Sequence, residues 1–387
     1  YNLGKFLTEA NYPYGRIIQA YGTDFSMVLA KKSPFPTSVM ADWETAKKCD
    51  RRKFPIGVDD LGNPVYWDTK TTPHLLISGK SGSGKSSASQ IVIAEALLKG
   101  EDIILIDPSK GCIDFTQWAK PKALAFVGLY QLRETEAVIS WAREEMAERV
   151  RINNKYGVGN IFELNPDDVE EADRKHLKPL NILFDEFNSY LQETGKTTQN
   201  PQKDMQIAND NAAVSATNAS IARTMSALSK IIVQGRTAGI RCIFGAQRLT
   251  MDDMKKYNGN AFFRSLGRIL LGMDSPAGVV SAQNLSEANR TQKSLKNEDG
   301  LIPVGRGMYE SMQGTLMAVQ TWYSGGQDEL AKLVADIPNP EPIDYQQYMP
   351  RAAEQFTKLD VEDIKEIFTS NNGSENVEDE DVEEEEW

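Results

Sequence analysis

The chain has 387 residues, 40% hydrophobic and 25% charged, the profile of a globular protein with a sizeable core. No apolar run approaches the roughly 20 residues needed to cross a bilayer, and two histidines (His74, His176) with three scattered cysteines (Cys49, Cys112, Cys242) cannot assemble a zinc site at usual spacings. The formal charge of −12 is concentrated in the last residues: removing the nine acids between Glu375 and Glu386 leaves −3 for residues 1–374, so bulk charge neither supports nor excludes a nucleic-acid partner.

Unpaired cysteine usage fits a reducing, cytoplasmic compartment. No signal peptide is visible, and because the chain begins at Tyr1 a membrane anchor in a preceding segment stays open. Residues 1–53 mix aromatics, Gly and Pro before a basic end (Lys47, Lys48, Arg51, Arg52, Lys53) and read as a small N-terminal segment. From Phe54 to about residue 337, short apolar runs alternate with helical patterns. His74 to Ser78 reads as a buried strand, Ser86 to Leu98 as a helix ended by Gly100, and Ile103 to Asp107 as a second strand. Val138, Ala142, Met146 and Val150 share one helix face with Trp141. Asn181 to Asp185, Ile240 to Gly245 and Ile269 to Leu271 read as three more strands. Apolar strands alternating with helices imply an α/β domain with a mostly parallel sheet covered on both faces. Residues 194–220 turn polar and small and read as an insertion. Residues 338–387 hold a Pro-rich linker, one short helix (Val361 to Phe368) and a disordered acidic tail ending in Trp387.

Between the first strand and its helix lies Gly79-Lys80-Ser81-Gly82-Ser83-Gly84-Lys85-Ser86, which satisfies G-x-x-x-x-G-K-[ST] in the context the chemistry requires. Glycines let the backbone wrap the β-phosphate of ATP, Lys85 meets the β- and γ-phosphates, and the Ser86 hydroxyl ligates Mg²⁺. Gly79, Ser81, Gly82, Ser83, Gly84, Lys85, Ser86 and Ser87 are therefore the expected nucleotide cradle. Asp185-Glu186 follows an apolar strand in the Walker B arrangement: Asp185 is expected to hold Mg²⁺ with Ser86, and Glu186 to polarise the attacking water. Gln247 ends a strand, where it can sense the γ-phosphate. Arg236, Arg248, Arg264 and Arg268 are candidates for a finger reaching a neighbouring subunit's nucleotide, and the residues alone do not rank them.

Further motifs come in a fixed order: Phe54-Pro55-Ile56-Gly57-Val58-Asp59, Gly62-Asn63-Pro64-Val65, Pro73-His74-Leu75-Leu76-Ile77, Ile106-Asp107-Pro108-Ser109-Lys110, Glu145-Met146 with Arg149, Gly157, Asn160 and Asn165, Asp185-Glu186-Phe187, Arg236-Thr237-Ala238-Gly239-Ile240, and Ala246-Gln247-Arg248. Over about residues 54–325 this series resembles the motor domain of the FtsK/SpoIIIE family of DNA translocases. The resemblance implies a RecA-like P-loop ATPase that works as a ring, a hexamer in that family, on double-stranded DNA. It makes Arg268 the first finger candidate. Leu249 stands where the family has Pro, the acidic residue usual near Gly305-Arg306-Gly307-Met308 is missing, and no winged-helix domain fits after Pro342. These departures point to a mobile-element, conjugative or phage relative.

The expected function is ATP-driven translocation of duplex DNA, with Lys255, Lys256 and Arg264 as candidate DNA contacts. The alternative is a specialised protein-secretion ATPase on the same motor; a nucleotide-gated module that hydrolyses little is opposed by Glu186. The acidic tail reads either as a solubilising extension or as a phosphate mimic competing with DNA, with Trp387 an anchor for a protein partner.

Overall fold

The computed structural model describes residues 14–21, 24–191, 205–250, 252–257, 259–272, 282 and 285–350. They fall in two units, Tyr1–Gln192 with Ser220–Met349, and Glu193–Ala219 with Pro350–Trp387. The first unit opens with an antiparallel hairpin, β1 (Tyr14–Tyr21) and β2 (Asp24–Ala30). A short helix follows, α1 (Trp43–Lys48), capped by the Asp42 carboxylate on the Thr45 N–H at 3.0 Å. Ala46 of α1 is buried with Ile91 and Trp322, and Met40 bridges Tyr323.

The chain then enters a ten-stranded sheet: β3 (Lys53–Val58), β4 (Pro64–Asp68), β5 (His74–Gly79), β6 (Asp102–Ile106), β7 (Ala125–Val127), β8 (Leu180–Phe184), β9 (Ile240–Ala246), β10 (Leu266–Leu271), β11 (Arg306–Glu310) and β12 (Leu316–Thr321). Its order is β4-β3-β12-β11-β10-β5-β9-β8-β6-β7. The six strands from β10 to β7 run parallel, and β11, β12, β3 and β4 extend the sheet antiparallel. All five strands read from the sequence are present within a few residues of their expected limits. The five others escaped: β7 has three residues, while β3, β4, β11 and β12 mix polar with apolar positions.

Because alternate residues of a strand face opposite sides, each central strand feeds two cores. Leu76, Ile104, Ile106, Ile182, Phe184, Cys242 and Phe244 fall in one cluster. Leu75, Ile77, Ile103, Leu105, Leu183 and Ile243 fall in the other. Helix α2 (Lys85–Leu98) covers the second face with Val92, Ile93 and Ala96. Helix α3 (Leu132–Tyr156) covers the first with Val138, Ala142 and Met146, the face expected from their spacing; Val150 and Trp141 pack at its margin. It ends at Gly157 in the left-handed conformation that favours glycine. After α4 (Glu171–Arg174) and α5 (Phe187–Tyr190) comes a 30-residue helix, α6 (Met205–Gln234), then α7 (Gly259–Arg264), α8 (Leu285–Ser294) and α9 (Gln327–Leu333).

In the first unit α6 buries Ile221, Met225, Leu228 and Ile231 against the first core. The described part of the second unit is residues 205–219 of α6 and residue 350, so part of the expected insertion is helix. The short helix at Val361 to Phe368 and the acidic tail lie outside the described residues. Among the described residues no helix is long and apolar enough to cross a membrane.

Candidate nucleotide-binding site

Four loops at the carboxyl ends of the parallel strands meet at one cleft of about 320 Å³, lined by Lys80, Ser81, Gly82, Gly84, Lys85, Ser86, Ser87, Lys110, Glu186, Gln247 and Val304. Ligands of open α/β sheets bind at this end of the strands. The phosphate loop leaves β5 at Gly79 and enters α2 at Lys85. Gly84, just before the helix, has φ +100°, and a Cβ there would lie 2.9 Å from the Gly305 nitrogen. No L side chain adopts that backbone comfortably. The loop is tied from the far side by the Gly305 N–H, which donates to the Ser83 carbonyl at 2.9 Å. The first N–H groups of α2 have no partner within the helix, which gives the cradle a positive end for an anion.

Asp185 and Glu186 follow β8, next to β9 and one strand removed from β5. Phe187 anchors the turn, its ring 5.1 Å from Phe184, 4.6 Å from Phe244 and 5.8 Å from Phe262. Such ring pairs contribute roughly 0.5–1.5 kcal/mol each beyond burial. Glu186 sits at φ +48°, a conformation that costs a non-glycine residue on the order of 1–3 kcal/mol and clusters at functional sites. Its N–H donates to the Asp185 carboxylate at 2.9 Å. Lys85 Nζ lies 2.9 Å from Glu186 Oε1 and 3.5 Å from Asp185 Oδ1. Lys110 Nζ reaches the same Glu186 Oε1 at 2.5 Å.

Burial raises the Asp185 carboxyl above the ordinary carboxylate range, against the pull of Lys85. Burial pushes Glu186 the same way, but its bonds from Lys110 and Lys85 outweigh it and hold the carboxyl lower. Bonding to Glu186 in turn raises the Lys110 ammonium. The acidic pair is thus held in opposite directions by its surroundings, the pattern expected of groups with different tasks.

Among the residues expected at the site, the cleft brings together Ser81, Gly82, Gly84, Lys85, Ser86, Ser87, Glu186 and Gln247. Gly79, Ser83 and Asp185 are buried and do not themselves line the cleft. Gln247 is exposed at the rim, its backbone N–H donating to Asn188 Oδ1 at 3.2 Å and its carbonyl accepting from Ser78 Oγ. The donor set is hard oxygen, the Ser86 hydroxyl and the Asp185 carboxylate, and buried Ser83 Oγ and Ser87 Oγ have no partner. These residues fit a magnesium ion held with phosphate oxygens. Among the described residues there is no cluster of three or more His, Cys, Asp and Glu for an all-protein metal site.

Arg268 is a correction. A finger needs an exposed guanidinium, and that of Arg268 is 2% exposed. It donates to the carbonyls of Leu266 at 3.0 Å and Phe263 at 2.7 Å, and pairs with Glu310, its cross-strand partner on β11, at 3.6 Å. It is a tie inside the fold, with no exposed guanidinium to offer a neighbour. Lys255, Lys256 and Arg264 are exposed beyond β9, and none of them lines the cleft.

Four neighbours of the site were missed in the sequence. Lys110 appeared only as part of a motif, though a lysine three residues past a strand-end Asp was a usable signal. Val304 and Gly305 reach the phosphate loop through strand pairing more than 200 residues away, and Gly245 abuts Asp185, with an added Cβ 3.0 Å from its Cγ. Nothing local marks either contact.

The FtsK/SpoIIIE family model matches residues 38–251, more than half of the chain. DNA translocase SftA of Bacillus subtilis (strain 168) is 30% identical over 136 residues, which is 34% of this chain and 14% of that protein; the chain spans a small part of the curated relatives it matches. Among solved structures, the pCW3 conjugation coupling protein TcpA, monomer form with ATPgS, superposes with a TM-score of 0.62 at 19% identity, covering 85% of this chain and 84% of that one. EssC (ATPases 2 and 3) from Geobacillus thermodenitrificans gives 0.53 at 16% identity, covering 80% and 54%. At these identities the two superpositions speak to fold, and the fold is the RecA-like P-loop architecture expected from the sequence. With the Walker loops in place at the strand ends and the family model spanning both, the chain belongs to the FtsK/SpoIIIE family.

Proposed function

We propose that the chain is an ATP-driven translocase of double-stranded DNA that works as a ring, a hexamer by family likeness, in DNA transfer or mobilisation. The observation that carries the reading is the convergence of Lys85, Asp185 and Glu186 at the strand ends of an FtsK/SpoIIIE-family domain. In this reading the 82–87 backbone and Lys85 bind the phosphates of ATP. Ser86 and Asp185 would hold Mg²⁺, which would supply positive charge to the phosphates during transfer. Glu186 accepts a proton from water as that water's oxygen bonds to the γ-phosphorus and the bond to the β–γ bridging oxygen breaks, leaving ADP and phosphate. Gln247, at the rim, orients the water or senses the γ-phosphate.

Among the described residues lining the cleft the cations are Lys80, Lys85 and Lys110. We propose that a guanidinium completing the site is supplied by a neighbouring subunit, from an arginine other than the buried Arg268. Lys255, Lys256 and Arg264 are proposed to meet the DNA backbone, and the acidic tail with Trp387 to compete with DNA or to anchor a protein.

The rival reading, a protein-secretion ATPase on the same motor, is separated by a salt series. Duplex binding that neutralises several phosphates weakens steeply with salt. ATPase activity stimulated by linear duplex DNA at low salt, and progressively lost as salt rises, supports translocation. Activity indifferent to DNA but raised by a polypeptide supports the rival.

A further inference from the structure

We infer that Lys110 is a positioning residue for hydrolysis, one that keeps the Glu186 carboxylate at the cleft when Lys85 turns to phosphate. The inference rests on the hydrolytic reading above. Lys85 has two incompatible attachments. Its Nζ is 2.9 Å from Glu186 Oε1, yet it stands on the loop built to wrap phosphate, where a lysine is drawn to the β- and γ-oxygens. Once it leaves, Glu186 loses one of its two cationic partners. The other is Lys110, on the same oxygen at 2.5 Å.

The backbone beneath Glu186 makes that remaining partner matter. At φ +48° the residue sits in a sparsely populated conformation, which persists only while the surrounding structure holds it. Lys110 can hold it because its own loop is braced. The Asp107 carboxylate accepts from the N–H groups of Ser109 at 3.1 Å, Lys110 at 2.9 Å and Cys112 at 3.0 Å. The Gly111 N–H donates to the Asp107 carbonyl at 2.8 Å, and the Tyr130 N–H to the Pro108 carbonyl at 2.9 Å. Asp107 is itself buried at the end of β6, beside β8, which carries Glu186. The Lys110 side chain is 58% exposed, so it contributes little packing, and its ammonium is bonded to Glu186. Only the lysine end of the pair is exposed, the Glu186 side chain being 5% exposed; the value of the pair lies in where it puts the carboxylate.

The test is steady-state ATPase with the full chain for wild type, Lys110→Gln, Lys110→Arg, Glu186→Gln and the double variant Lys110→Gln/Glu186→Gln, with thermal melts to establish folding. A positioning role predicts that Lys110→Gln lowers kcat by roughly ten- to a hundredfold with little change in KM for ATP. Lys110→Arg recovers most of the loss. The double variant is within about twofold of Glu186→Gln alone, because a residue acting through Glu186 has nothing left to position. Raised KM with unchanged kcat in Lys110→Gln, or losses that add in the double variant, would overturn the inference by making Lys110 an independent phosphate contact. Failure of arginine to rescue also counts against it. Wild-type turnover in Glu186→Gln would instead sink the assignment of Glu186 as the proton acceptor, whatever Lys110→Gln does.

Discussion

Gly245→Ala is the most informative single methyl group that can be added to this molecule. Gly245 sits on β9 directly against Asp185, and a Cβ built there collides with Asp185 Oδ1 and lies 3.0 Å from its Cγ and 3.3 Å from its Cα. Carbon atoms sit comfortably at about 3.5–4.0 Å, so the carboxylate has to retreat by on the order of 0.5–1 Å. The stability cost is small: overpacking of a dense interior costs about 1–3 kcal/mol, offset in part by the roughly 0.5–1 kcal/mol that alanine gains over glycine within a strand. A fall of a few degrees in Tm is expected. The catalytic cost is larger, because a displacement of about 1 Å at a reacting centre can cost around a hundredfold in rate. Asp185 also contacts Lys85 at 3.5 Å, so the phosphate lysine moves with it. The assay is phosphate release at saturating ATP, normalised to folded protein by near-ultraviolet circular dichroism. Wild-type turnover in well-folded Gly245→Ala would refute the assignment of Asp185 to the reacting centre.

Two further outcomes follow from buried groups. Arg268→Ala is expected to destabilise the fold by about 3–5 kcal/mol, since it removes one member of a buried ion pair, Arg268 with Glu310; a normal melt with lost ATPase would restore Arg268 as a finger. His74 is wholly buried, its Nε2 bonded to the Ile232 carbonyl at 3.0 Å and its Nδ1 accepting from the Cys242 N–H at 3.0 Å, an arrangement only the neutral ring satisfies. Burial pushes it from 6.5 down to about 4. The unfolded chain therefore takes up the proton first as pH falls. Stability from His74 is complete above about pH 6.5 and declines toward pH 4, by roughly 3 kcal/mol in all. Urea titrations at pH 7.5, 5.5 and 4.5 read this directly, and the His74→Asn variant, less stable throughout, should lack that part of the slope.

What the sequence disclosed depended on whether the information was local. Strands β5, β6, β8, β9 and β10 lie deep in the sheet, so their uninterrupted apolar runs were readable. The phosphate loop and Asp185-Glu186 are contiguous motifs whose chemistry is carried by neighbours in the chain. Arg268 shows the limit: its strand was readable, but its partner depends on the register that sets Arg268 opposite Glu310, and β11 was not. Gly245 and Gly305 likewise matter only because sheet order places β9 beside β8 and the start of β11 beside the phosphate loop. Lys110 was in plain view, but its bond to Glu186 exists only once β6 and β8 are paired.

Movement along DNA is the central claim, and strand displacement measures it most directly. A short third strand is annealed to duplex DNA ahead of a loading site, and its release is followed with ATP, with a non-hydrolysable analogue, and with Lys85→Ala. Translocation requires ATP-dependent release by wild type, with none from the analogue or from Lys85→Ala. Wild-type protein that hydrolyses ATP on duplex DNA yet never displaces the third strand would contradict it.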